Sequence, residues 1–288
     1  MTNRRIRFDG KHWIGKKFYN DPLQISSSDY VARQVRKGLG EGGMVAIPEA
    51  RPDDDRYEDV VNGLSDFRAI GGENRVMHDT ENDVYFIKAQ EVNTRIYDHP
   101  LTFLAYGLPI GVEGNLDDKE GWNMLEEAKD KNAIVGINGP SCVNSLNKMN
   151  SDYREEILRR VDFFVSYSGS ATVKLGTNDK AWEFYLKKIR DHKEVGEVGT
   201  IAVSGGHRTP KWPLEYVLNG FRQTIGSSNV EINEPNEDNF IEDLRRSLRR
   251  SSLEDLTMNP IIAEMVLRHL PSIMIWDRFR KKRKIKNV

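Results

Sequence analysis

The chain has 288 residues with a net charge of −1 and 30% charged side chains, enough for one large domain or two small ones that bury roughly 75% of the unfolded surface. Its single cysteine, Cys142, excludes an internal disulfide and any metal site built from several thiolates. No window holds the roughly 20 apolar residues of a membrane helix, and residues 1–7 are polar and basic with no apolar run behind them. The composition therefore predicts a soluble, cytoplasmic protein without membrane contact.

Residues 5–8 predict a short strand, and Ser28-Asp29 opens a helix that carries Tyr30, Val31 and Val35 on one side and stops at Gly38. The continuous apolar run 44–47 predicts a strand covered on both faces, ended by Pro48. Residues 51–55 are polar loop. Strands follow at 74–77 and 84–88, around a turn at 80–83, and another at 101–106, closed by Gly107. Helices are expected at 117–129, 152–160, 179–189 and 214–221, with strands at 133–137, 161–165 and 200–203. Apolar strands alternating with helices predict parallel β/α units, and their number favours closure into a barrel. Neither a G-x-G-x-x-G nor a G-x-x-x-x-G-K-[ST] phosphate cradle occurs. Residues 226–239 are rich in Ser, Asn, Glu and Pro and read as a linker, followed by helices at 240–250 and 261–270. The expected division is a barrel over 1–225 and a linker, helical appendage and basic tail over 226–288.

That tail divides the charge. Residues 278–286 hold seven cations and no anion, so the net −1 resolves into a +7 segment and a −8 remainder. Such a segment is either a solvated terminus or an arm for nucleic acid, with Arg245, Arg246, Arg249 and Arg250 as a second basic cluster. The C-terminal helices are a candidate surface for a protein partner.

In parallel β/α folds, sites gather at the C-terminal ends of strands. Those ends bring up Asp9 and His12, then Glu49, Glu91, Gly139-Pro140, the stretch 166–169, and Ser204-Gly205-Gly206-His207. Carboxylates and imidazoles at successive strand ends are how a metal-hydrolase barrel presents its ligands. Arg208 and Lys211 beside His207 suit a phosphate group. Cys142 lacks a histidine near it in sequence and reads as a buried apolar group. Asp98-His99 stands close enough to Thr102 to supply an imidazole there if its loop folds inward.

The order of these segments resembles the PHP (polymerase and histidinol phosphatase) family. Residues 42–50 resemble its glycine-rich turn and Thr-Asp-His-like strand end, 88–92 its Gly-x-Glu strand, and 102–107 its His-x-Leu-x-x-Gly strand. Gly139-Pro140 resembles its His-Pro, 162–169 its Asp-x-x-Glu-x-x-Asn-Gly run, and 204–207 its Ser-Asp-Ala-His motif. A fainter similarity, through 203–210, is to the PHP-like protein subunit of ribonuclease P, which keeps the barrel, lacks the metals and works bound to RNA. The resemblance implies a distorted (β/α)7 TIM-like barrel, here with a helical C-terminal extension, and two or three metal ions for phosphoester hydrolysis. Several ligand positions are altered: Asp-His is Glu49-Ala50, and Thr102, Gly139, Val165 and Gly205 stand where the family has ligands. Asp9, His12, Glu49, Glu91 and His207 remain to hold one divalent ion (Mn, Zn or Mg) at best, with Arg208 and Lys211 for a phosphorylated ligand. The expectation is a degenerate PHP-like binding or scaffolding module. Its alternatives are a phosphoesterase with a reduced metal site and a nucleic-acid-binding protein.

Overall fold

Segments with period-2 or continuous apolar patterning pair into one sheet, and segments of helical period cover it. The computed structural model describes residues 4–10, 27–49, 56–70, 75–107, 116–168, 177–192, 195–203, 226–232 and 239–258. The chain divides into a unit Met1–Met258 and a unit Asn259–Val288, the latter outside the described residues together with the predicted helix at 261–270 and the basic tail. The predicted helix at 214–221 also lies outside them.

The first half runs β1 (Arg4–Asp9), α1 (Ser27–Leu39), β2 (Gly43–Glu49), α2 (Arg56–Asn62), β3 (Phe67–Ile70), β4 (Val76–Asp79), β5 (Val84–Ile96) and β6 (His99–Tyr106). The second half begins with α3 (Asp118–Asp130), β7 (Ile134–Ile137), α4 (Gly139–Lys148), α5 (Ser151–Leu158) and β8 (Phe163–Ser168). Then come α6 (Thr177–Tyr185), which widens into a π-type turn over Leu186–Arg190, and β9 (Gly199–Val203). It closes with β10 (Gly226–Ile232), α7 (Phe240–Arg250) and β11 (Leu256–Met258). α3 begins one residue after the expected 117, with Asp117 as its cap: Asp117 accepts from Glu120 N, and the Glu120 carboxylate accepts from Asp117 N.

Among the described residues, eleven strands form one sheet in the order β11-β10-β1-β2-β5-β6-β7-β8-β9, with the β3–β4 hairpin branching from β5. Eight of them, from β10 round to β9, make a nearly closed barrel. Ser228 bridges the seam: its hydroxyl accepts from Ala202 N at 2.9 Å and contacts Ala202 O at 3.4 Å.

The sheet is mixed, which corrects the expected parallel order. β1–β2, β2–β5, β7–β8 and β8–β9 pair parallel, whereas β6 runs antiparallel to β5 and β7, and β10 runs antiparallel to β1. The reason is connection length. Only Tyr97 and Asp98, both left-handed (φ 51° and 62°), join β5 to β6, and a parallel crossover needs a dozen or more residues. Two boundaries shift as well. β2 continues through Pro48 because β1 pairs only with Met44 and Val45, so by Pro48 that side of the strand carries no ladder. The expected division at 225/226 falls inside the unit: residues 226–232 are a barrel strand and 240–250 pack into the barrel, so the unit ends at Met258.

Alternation along the strands sorts the core. Phe8, Met44, Ala46, Tyr85, Ile87, Leu104, Tyr106, Phe163, Val165 and Ile201 share one cluster that fills the lumen, where the Tyr106 and Phe163 rings stack at 5.0 Å. Gly136 accommodates that stack, since a Cβ there would come 2.1 Å from the Phe163 ring. Phe240, Ile241, Leu244 and Leu248 of α7 join the same cluster and seal one end, the floor. Outside the wall, α1 and α2 pack on β2, β4 and β5, and α3 to α6 pack on β5 to β8.

Candidate functional site

The end opposite α7 is the rim. Parallel β1, β2, β5, β7, β8 and β9 finish there, and antiparallel β6 begins there. Glu91 does not end a strand, as expected, but lies within β5, opposite Leu104. Tyr85, Ile87 and Ala89 face the lumen, so the period-2 alternation carries Glu91 and Asn93 onto the same side. Beside them Thr102 pairs with Asn93, and its hydroxyl donates to Asn93 Oδ1 at 2.9 Å. Asn138 N donates to Thr102 O at 2.9 Å, placing Asn138 next to Thr102 at the end of β7.

Asn138 also opens α4. Its carbonyl accepts from Ser141 N at 3.1 Å and Cys142 N at 3.2 Å, while its side chain makes no capping bond. Gly139, at the position that resembles His-Pro, has no room for a larger residue: a Cβ would come 2.2 Å from Val165 O. Cys142 is buried, and its sulfur accepts from Thr102 N at 3.0 Å. Burial pushes the thiol up, away from the thiolate a nucleophile needs. His99 is on the opposite side of β6 from Thr102 by alternation, two residues before buried, outward-facing Leu101.

Glu49 goes elsewhere. Val45 and Ile47 of β2 face α1 and α2, while Met44 and Ala46 face the lumen, so Glu49 falls on the outer side. It is 4% exposed, and its Oε1 accepts from Tyr57 N of α2 at 3.2 Å. Lys88, paired with Ile47 across the ladder, forms an ion pair with Glu58 and lies 5.9 Å from the Tyr57 ring centroid. Burial, reinforced by the Glu58 charge and opposed by Lys88 and the Tyr57 N–H, pushes the Glu49 carboxyl up to about 8. Tyr57 is pushed well above its ordinary value by burial and by both carboxylates.

Asp9 is fully buried at the end of β1, paired with Val45, four residues short of Glu49. Its charge reaches Arg7 and Tyr106. The three described carboxylates therefore do not converge: Glu91 faces the lumen, Glu49 is turned under α2, and Asp9 is lower in the wall. Among the described residues no group of three or more His, Cys, Asp or Glu side chains is placed to hold a metal ion. His12, His207, Arg208 and Lys211 lie outside the described residues.

The four arginines of α7 divide by helical spacing. Arg249 donates to Asp162 Oδ1 at 2.7 Å, and Arg245 donates to Ala133 O at 3.1 Å and bonds Asn132, all at the floor. Arg246 and Arg250 instead line an open polar groove of about 300 Å³ beside Glu231, Asp243 and Asp255. Acids thus accompany both, and the expected basic cluster is not one continuous patch.

Asn93, Asn138, Tyr57, Glu58 and Lys88 were not among the sequence candidates. Counting the alternation of β5 onward from Tyr85 would have found Asn93, but that strand was expected to end at Lys88. No family model matches the chain, and no curated protein matches it.

Proposed function

We propose that this chain is a degenerate PHP-like barrel that binds or scaffolds at its rim rather than hydrolysing phosphoesters. The order of the strand-end motifs and the nearly closed α/β barrel support the family reading. One observation carries the loss of catalysis: the Glu49 carboxyl is held by Tyr57 N and buried beneath α2, on the side of the wall away from Glu91. A cluster of two metals needs bridging ligands that hold the ions about 3.5–4 Å apart. A carboxylate on the far side of a strand cannot bridge to one in the lumen, because moving it across requires a one-residue shift of register that would turn Val45 and Ile47 inward as well. What remains at the rim is a hydrogen-bonding surface made by Asn93, Thr102 and Asn138 beside Glu91.

Elemental analysis of the purified full chain, followed by phosphate release from a panel of phosphomonoesters with added manganese, tests this reading. Substoichiometric metal and no turnover are expected. Stoichiometric manganese or zinc with turnover that Glu91→Ala abolishes would overturn it in favour of the reduced phosphoesterase.

A further inference from the structure

Within that binding reading, on which this inference rests, the rim groups specify a ligand class. Asn138 is only 6% exposed, yet its side-chain amide makes no hydrogen bond among the described residues. An amide so nearly enclosed usually has its bonds made. Across β6, Asn93 uses its Oδ1 to accept from Thr102, which leaves its NH2 group without a partner among the described residues. Two amides and a hydroxyl thus offer both donors and acceptors along the register line Asn93–Thr102–Asn138.

The charges on either side oppose each other. Glu91 lies two residues deeper on the same row, and Arg95 two residues nearer the tip, its guanidinium on Asp98 O at 3.1 Å. An anion next to this line would meet Glu91, and a cation would meet Arg95 and the positive end of α4. Hydroxyl groups both donate and accept and carry no charge. We propose that Asn93, Thr102 and Asn138 form a site for a neutral polyhydroxylated ligand, a sugar or a polyol.

Calorimetric titration of the full chain with D-glucose and myo-inositol, each against its monophosphate, tests the site. At least one neutral probe should bind about tenfold more tightly than its phosphate, and Asn138→Ala should weaken that binding by about tenfold. The thermal midpoint of Asn138→Ala should match the wild type, because the amide has no partner to lose. Asn93→Ala, at an exposed position, gives the same readout where folding is not in question. Tighter binding of either phosphate, no binding of either neutral probe, or full affinity in both variants would overturn the assignment. Assaying the same mixtures for released phosphate separates the two readings: turnover defeats the binding module itself, whereas phosphate binding without turnover defeats only the neutral-ligand site.

Discussion

The two ends of this barrel handle polar groups in opposite ways. At the floor, Asp162 is 5% exposed and engaged on both oxygens: Val135 N donates to Oδ2 at 2.9 Å and Arg249 to Oδ1 at 2.7 Å, with Arg245 at 3.7 Å. Arg245 in turn pairs with Glu242 within α7 and ties the helix to Asn132 and the carbonyl of Ala133, and the apolar face of the helix fills the lumen behind it. At the rim, Asn138 is as deeply placed, yet its amide makes no hydrogen bond among the described residues. A buried polar group bonded within the protein holds the fold together, whereas one without such a bond adds little to stability and keeps its hydrogen-bonding capacity for a ligand. The contrast assigns stability to the floor and is the ground for the binding proposed at the rim.

The largest expected effect tests the floor. Asp162→Ala leaves Arg249, Arg245 and the Val135 amide without their shared acceptor, and should cost about 3 kcal/mol in urea unfolding. A loss below about 0.5 kcal/mol, ordinary for a surface site, would remove the distinction between the two ends.

A smaller effect concerns the wall. Glu49 has a folded-state pKa pushed up to about 8, against roughly 4.3 unfolded. Between those values the folded state holds a proton that the unfolded state has released, so the contribution is full below about pH 4.3 and is lost as the pH rises through about 8. Glu49→Gln should flatten the fall in stability over that window while leaving lower pH unchanged. An unchanged pH profile would mean that the carboxyl is ionised beneath α2 after all. The smallest effect is at the rim: Asn138→Ala should change unfolding free energy by no more than about 0.5 kcal/mol. A large loss there would make Asn138 a structural residue like Asp162 and erase the comparison.

Much of the fold was legible. The helix expected at 240–250 coincides with α7, and the one expected at 117–129 lies within one residue of α3 at each end. β10 was not legible, because Gly226–Ile232 has a loop-like composition. Its serines serve as bridges: Ser228 closes the seam on Ala202, and Ser227 accepts from Arg7. No local pattern shows that a serine will meet a strand more than twenty residues earlier in the chain. α2 and α4 are short, and packing stabilises them more than propensity does. At the candidate site, Glu49 and Glu91 were legible as carboxylates on strands, but not as carboxylates on opposite faces. Reading Pro48 as a terminator hid the continuing alternation of β2, and reading Lys88 as the end of β5 hid that of Glu91 and Asn93.

Patterning along the chain determined most of the segments that become helix or strand, because periodicity and apolar content are local properties. It also determined that a single cysteine and scattered carboxylates are the available chemistry. Tertiary structure alone decided strand direction, the closure of the barrel by β10 and α7, and the side of the wall on which each carboxylate falls. Pairing register and turn length set those outcomes. With a side-chain period of two, a single residue of register separates a group in the lumen from one buried under a helix.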